Sequence, residues 1–445
     1  MIRRLFIANR GEIALRIIRT ARRLGMTTIL GASEADRDGL PARAADEVAI
    51  VGPAPSAESY LSAGRLVAAA VAARADAVHP GYGFLSEKAD FARAVRAAGM
   101  IFVGPDAESL DAMGDKLMAR HVAVAAGLAV IPGGEAADRQ AAGARAAETG
   151  YPLLLKAVAG GGGRGMKRVD DPAAFDAAVD LAMAEARAAF GDPRLYVERF
   201  VARGRHVEVQ ILGDGTRAIH LGTRDCSIQR RFQKLVEEAP APGLPVAAHE
   251  ALCAAAVRLA RHIGYGGAGT VEFLVDAESF DFWFLEMNAR IQVEHPVTEA
   301  VTGVDLIEQQ LLIADGQPLG LRQDQVAITG HAIEVRINAE DWARDFRPSP
   351  GRVRRAAWPA GPGIRVDSHV AAGSLVTPHY DSLIGKLIVS AADRAGAVAR
   401  LAAALDVLDV DGVATTVGLH RAIARDPRFM AGGADTRFFE GMAHG

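Results

Sequence analysis

Cysteine is nearly missing from this sequence: Cys226 and Cys253 are the only two among 445 residues. Two thiols cannot build a disulfide framework, so the chain is no stapled secreted domain, and each cysteine reads as a small, reduced, partly buried side chain. An excess of one charge is missing too, and a formal net charge of −4 leaves no basic footprint for nucleic acid. Long apolar runs are absent. The alanine-rich stretches around Leu66 and Val122 are broken by Arg, His or Gly, whereas a membrane span needs about 20 apolar residues. The opening MIRRLFIANRGE has too few apolar residues before Asn9 and Arg10 to be a secretory signal. These absences predict a cytoplasmic protein with neither a nucleic-acid nor a membrane partner. With 50% hydrophobic and 23% charged residues, the chain has material for two or three domains, each with its own core.

Up to about residue 110, strands alternate with helices. Leu5 to Ala8 is a short apolar run, followed by Ile13, Ile17, Ile18, Ala21 and Leu24 at helical spacing and then Gly25. Further strands are predicted at 27–30, 48–51, 77–79 and 101–103, with helices near 61–73 and 89–98. The alternation predicts a parallel α/β sheet. Its first turn reads Asn-Arg-Gly-Glu rather than G-x-G-x-x-G, so no dinucleotide site is expected. The loop HPGYGFLSE, from His79 to Glu87, follows a strand, where open α/β sheets hold ligands, although its composition fits plain turn chemistry equally well.

From about Met113 the pattern changes. A helix is predicted at 118–126, and Tyr151 to Val158 reads as a strand carrying Lys156. The following AGGGGRGM leaves backbone N–H groups free to close over an anion. It is no Walker loop, since MKRV reads as the returning strand of a hairpin. Leu195 to Phe200 forms another strand, with Glu198 placed to read an adenine together with the backbone that follows. In RHVEVQIL, His206, Glu208 and Gln210 share one face, which is expected to meet solvent or ligand. Arg230, Arg231, Gln233 and Lys234 crowd into one segment, either a site or a solvated loop.

The most informative stretch is EMNARIQVEH, Glu286 to His295. If extended, it points Glu286, Asn288, Arg290, Gln292 and Glu294 the same way. Acids and amides around one arginine suit a metal held to phosphate at one end and a small oxyanion at the other. Strands 269–275 and 282–287 precede it, and a turn centred on Ser279 sets Glu272 across from Glu286. Facing carboxylates repel unless a cation lies between them, which predicts Mg²⁺ or Mn²⁺ with Asn288 completing the set. The Phe, Leu, Trp and Met around them predict burial.

In order along the chain, IANRGEIALRI, HPGYGFLSE, MGDK, GGGGRGM, RHVEVQ, RDCSIQRR, VEEAPAP, RIQVEHPVTE, RINAED and YDSLIGKL resemble the motifs of biotin carboxylases, which are ATP-grasp enzymes. The resemblance covers essentially the whole chain. It implies an α/β and α+β fold: an N-terminal parallel α/β domain (1–112), a central ATP-grasp domain (113–330) with a mobile glycine-rich lid at about 131–203, and a C-terminal α+β domain (331–445). It also implies roles. Lys116, Lys156 and His206 would contact ATP phosphates, Gly162 and Gly163 would lie over them, and Glu198 through Val201 would hold adenine. Glu272, Glu286 and Asn288 would bind Mg²⁺ or Mn²⁺. Lys234, Arg290, Gln292 and the Val293 backbone would hold bicarbonate, with Glu294 as base. Arg336 would stabilise the biotin enolate, and Tyr82 would line the biotin side. Phe232 departs from the family, which commonly has a polar nucleotide contact there.

No A-M-K-M-like biotinyl-lysine motif occurs. The resemblance therefore implies a separate biotin carboxyl carrier protein, or a carrier region of a longer parent chain, with carboxyltransferase subunits as further partners. A homodimer through the first helix and a strand near residue 365 is implied too, although Arg19, Arg22, Arg23 and Pro362 depart from the family there. The implied activity is the first half-reaction of an acyl-CoA carboxylase, foremost acetyl-CoA carboxylase in fatty acid synthesis; propionyl-CoA, other acyl-CoA, pyruvate and urea carboxylases are alternatives. A different ATP-grasp ligase need not keep Lys234, Arg290, Glu294 and Arg336, and a non-catalytic homologue should have lost one of them.

Overall fold

The computed structural model describes residues 1–158 and 166–440. Strands β1 (Arg4–Ile7), β2 (Thr27–Ser33), β3 (Glu47–Gly52), β4 (Ala77–His79) and β5 (Ile101–Phe102), with helix α1 (Gly11–Arg23) after β1, begin the chain. They build the expected parallel sheet in the order β3-β2-β1-β4-β5. Leu5, Phe6 and Ile7 are fully buried, as a parallel sheet covered on both faces requires. Strand order reverses between β1 and β4. The segments leaving their carboxyl ends therefore share the crevice in which such sheets take ligands. Asn9 ties these segments together, its amide donating to the Pro80 and Tyr82 carbonyls at 2.7 Å each.

A second, antiparallel sheet consists of β6 (Gly133–Ala136), β7 (Leu153–Ala157), β8 (Met166–Val169) and β9 (Leu195–Arg199), ordered β6-β9-β7-β8. Leu153, Leu155, Leu195 and Val197 pack with Phe175 and Val179 of the helix Phe175–Phe190 to give it a small core of its own. β7 and β8 pair as the predicted hairpin. The glycines between them, Gly162 and Gly163 included, lie outside the described residues.

The third sheet positions the chemistry. Strands β10 (Gly204–Asp214), β11 (Ala218–Arg230), β12 (Gln233–Ala239), β13 (Gly266–Asp276), β14 (Phe282–Asn288), β15 (His331–Asn338), β16 (Ile364–Ser368) and β17 (Leu383–Ala391) pair antiparallel in the order β14-β13-β10-β11-β12-β15-β17-β16. The sheet runs unbroken across residue 330. Helix α2 (His295–Thr302) covers one face, packing Val297 and Val301 on Ala239, Ala332 and Ile388. As the edge strand, β14 is less covered than its apolar residues predict: Leu285 is exposed and Trp283 half-buried. Cys226 and Cys253 are buried and unpaired. Among the described residues no helix is long and apolar enough to cross a membrane.

Candidate active site

The ladders of the large sheet bring charges from distant parts of the chain into one row. Glu286 stands across from Glu272, Glu272 across from Glu208, and Glu208 across from Arg224, so their side chains share a face. Beside it, Asn288, Thr270 and Gln210 form a second row. Lys234 on β12 reaches into the first, donating from Nζ to Glu208 Oε2 at 2.5 Å, Glu272 Oε1 at 2.8 Å and Glu294 Oε1 at 2.7 Å. Burial disfavours the ammonium, but Glu208, Glu272 and Glu294 together hold its pKa well above the usual lysine value.

The same charges settle their neighbours. Burial opposes ionisation of Glu272, and Lys234 and then His206 more than compensate, holding its carboxyl well below the usual range. His206 Nε2 lies 2.7 Å from Glu272 Oε2; burial lowers the imidazole pKa, but the charge and hydrogen bond of Glu272 together with the Glu208 charge leave it raised. Glu286 is pushed up, by burial first and the Glu272 charge second.

EMNARIQVEH does not continue as a strand, contrary to the alternation expected of it. β14 ends at Asn288, where the Glu87 carboxylate accepts the Ala289 N–H at 3.1 Å and Arg290 Nε at 2.8 Å, and Pro296 soon starts α2. The five polar residues still converge, through a turn. Gln292 Nε2 donates to Glu272 Oε1 at 2.9 Å and Arg290 Nη2 to Asn288 Oδ1 at 2.8 Å. Glu294 occupies the N-cap of α2. Its Oε1 accepts from Lys234, and its Oε2 from Arg336 Nη2 at 2.9 Å. Against burial, Lys234 and then Arg336 hold this carboxyl far below the usual range. The Val293 carbonyl accepts from Lys386 Nζ at 2.5 Å.

Other expected residues stand further out. Lys116 is exposed at the start of the helix Lys116–Ala125, where its charge opposes the rise of Glu286. Lys156 and Glu198 pair with each other in the second sheet, and Val201 is half-buried just beyond β9. Phe232 sits in the β11–β12 turn at φ +65°, 62% exposed. Arg230 and Arg231 part company with Lys234 and pair with Asp345. The Tyr82 hydroxyl bonds to the Glu12 carboxylate in a cavity of about 130 Å³ that Asn9, Arg10, His369 and Asp381 also line. Glu12 in turn lies 3.2 Å from Lys386 Nζ.

Residues 1–110 match the family described as "Biotin carboxylase, N-terminal domain", 115–322 "Carbamoyl-phosphate synthase L chain, ATP binding domain", and 334–441 "Biotin carboxylase C-terminal domain". A biotin carboxylase of Pseudomonas aeruginosa is 50% identical over 444 residues, 99% of this chain and 98% of its own. The chain belongs to the biotin carboxylase family. Among solved biotin carboxylases, the Campylobacter jejuni beta-gamma-ATP complex superposes with a TM-score of 0.92 at 45% identity, covering 99% of both chains. The biotin carboxylase domain dimer of Hydrogenobacter thermophilus 2-oxoglutarate carboxylase, solved with MgADP, ADP and bicarbonate, gives 0.91 at 43% identity over 100% of this chain and 98% of that one.

The donors of this candidate site suit a hard divalent cation. Glu272 and Glu286 face each other and Asn288 adds an amide oxygen, an all-oxygen set. Both Glu272 oxygens already accept bonds from Lys234, Asn288, Gln292 and His206, so a cation bound there would have to take the place of some of these donors.

Sequence reasoning passed over several participants. Arg224, 0% exposed, donates to Glu208 at 2.5 Å, Gln210 at 2.7 Å, Thr298 at 2.9 Å, Gln292 at 3.0 Å and Thr270 at 3.1 Å. Glu208 and Gln210 therefore meet an arginine rather than the solvent or ligand expected of them, and both are fully buried. Their polar alternation was the signal that a charged partner had to exist. Glu87 on Arg290, and Glu237 accepting Arg336 Nε at 2.6 Å, had no such signal.

Proposed function

We propose that the chain uses ATP and bicarbonate to carboxylate biotin held on a carrier protein, by way of carboxyphosphate. Glu294 carries this reading: a buried carboxylate set between Lys234 and Arg336, beside the turn of Arg290, Gln292 and Val293. Lys234, Arg290, Gln292 and the Val293 backbone hold bicarbonate with groups already fixed in place. Caged by two cations, Glu294 is a weak base. Bicarbonate entering beside it shares their charge, and Glu294 then takes the bicarbonate proton while the bicarbonate oxygen bonds to the γ-phosphorus and ADP leaves.

Lys116, Lys156 and His206 hold the phosphates. Glu198 and the backbone through Val201 hold adenine, with Phe232 against the nucleotide; Lys156 and Glu198 give up their ion pair to do so. Glu272, Glu286 and Asn288 hold Mg²⁺ or Mn²⁺, which when bound neutralises phosphate charge. Arg336 stabilises the biotin enolate after the phosphate released from carboxyphosphate has taken the ureido proton, and Tyr82 lines the biotin side.

The setting proposed is a cytoplasmic acetyl-CoA carboxylase with a separate carrier and carboxyltransferase subunits; a propionyl-CoA, other acyl-CoA, pyruvate or urea carboxylase is the alternative. A homodimer would form through α1 and β16, around a groove of about 390 Å³ lined by Arg16, Arg19, Glu299, Asp305, Arg365 and Asp367. The helix end is less cationic than its sequence, since Asp46 pairs with Arg22, and Asp305 and Glu308 with Arg23. Incubation with MgATP, labelled bicarbonate and either free or carrier-bound biotin tests the activity. ATP-dependent, acid-labile label on biotin is expected, and its absence from both acceptors contradicts the proposal.

A further inference from the structure

Next to Arg336 the large sheet buries two carboxyl groups that the chemistry above does not use. Glu237 on β12 stands directly across the antiparallel ladder from Glu334 on β15, so both side chains leave the same face. Both are 0% exposed. Glu237 Oε1 accepts from Arg336 Nε at 2.6 Å. Its Oε2 and both Glu334 oxygens have no hydrogen-bond partner among the described residues. The pair is roofed by the apolar contact of α2 with the sheet, where Val297 and Val301 meet Ala239, Ala332 and Ile388.

The charges around the pair are unevenly placed. Arg336 lies two residues from Glu334 on the same face and makes its bond to Glu237. Lys386 on β17 faces Arg336, but its ammonium is engaged by Glu12 at 3.2 Å and the Val293 carbonyl at 2.5 Å. From the start of α2, Glu294 adds negative charge, and His295 presents a neutral ring, its pKa held well below the usual value by burial and then by Lys386. Two carboxylates sharing one buried site cannot both ionise without a cation each; among the described residues only Glu237 is hydrogen-bonded to one, while Lys386 and Arg336 act on Glu334 without a hydrogen bond to it.

We propose that Glu334 and Glu237 share a single proton, carried by Glu334 and donated to the free oxygen of Glu237, and that this acid pair is a positioning device for Arg336. Burial, with Glu237 adding to it against the pull of Lys386, places the Glu334 carboxyl well above the usual range, and Glu237 is pushed up to about 7. The bridge holds Glu237 to the Nε edge of the guanidinium and leaves the Nη2 edge for Glu294 and substrate. A neutral Glu334 also keeps a third negative charge from cancelling the positive field that Arg336 directs at an anion forming on biotin. The inference rests on the role given to Arg336 above.

Replacing Glu334 by Gln, which is isosteric and always neutral, separates the possibilities from Glu334→Ala, which removes the bridge. E334Q is expected to keep kcat for biotin carboxylation within about twofold of wild type, and E334A to lose about 10- to 100-fold, with the KM for ATP unchanged in both. Infrared spectroscopy of the resting protein provides a readout independent of turnover and of how E334A folds: the C=O stretch of a buried protonated carboxyl should be present in wild type and missing in E334Q. Identical spectra, or an E334Q as impaired as E334A, would overturn the proposal. A wild-type chain that carboxylates no biotin would instead sink the functional reading, while the infrared band still reports the acid pair.

Discussion

Arg336 Nη2 donates to Glu294 Oε2 across 2.9 Å, so the group proposed to steady the biotin enolate also restrains the group proposed to deprotonate bicarbonate. Glu294→Gln removes the proton acceptor but keeps the shape. It is expected to slow bicarbonate-dependent ADP formation by about 10²- to 10⁴-fold with an unchanged circular dichroism spectrum. Arg336→Ala should abolish biotin carboxylation. Near-wild-type rates in either variant would remove the role assigned to it.

Glu286 is raised by burial and by the Glu272 charge across the β13–β14 ladder, against Lys116, His206 and Lys234. Glu286→Gln should relieve the repulsion and weaken the metal site, raising the Mg²⁺ concentration for half-maximal ATP turnover by about tenfold or more. Direct Mn²⁺ titration followed by electron paramagnetic resonance checks the same loss without turnover. Unchanged metal affinity would place the cation elsewhere.

Arg224 is buried with five hydrogen-bonding partners, on β10, β13, α2 and the turn before α2. Arg224→Ala leaves Glu208 buried with Lys234 as its remaining cation, and is expected to cost about 3–5 kcal/mol. Urea unfolding of the region, followed by tryptophan fluorescence, measures it. A loss below about 1 kcal/mol would mean that the network is far weaker than its burial indicates.

Stability should also depend on pH through Glu334. Its carboxyl is raised on folding by burial and Glu237, against Lys386 and Arg336. Its contribution is therefore complete below the unfolded value of about 4.3 and is lost as pH rises toward the folded one. The Gln variant does not titrate there. Between about pH 5.5 and pH 8.5 the melting temperature of wild type should accordingly fall relative to that of E334Q, as differential scanning fluorimetry would show. A difference independent of pH would contradict the raised carboxyl.

Local patterns made the first sheet readable, since Ile13, Ile17 and Ile18 at helical spacing and short apolar strands specify their elements without distant help. The β13–β14 hairpin was readable for the same reason, and with it the Glu272–Glu286 pairing. The path after Asn288 was not, because Glu87, two hundred residues earlier, ends the strand. Arg224 escaped notice because a fully buried cation defies composition, and only the ladder of β10 with β11 reveals its partner. Glu237 and Glu334 meet by register between strands far apart in the chain, which no local periodicity encodes.

The central claim is most directly tested by following ADP release from the purified chain with MgATP, adding bicarbonate and free biotin separately and together. The site described here predicts release that requires bicarbonate and rises further with biotin. Release indifferent to both would contradict it.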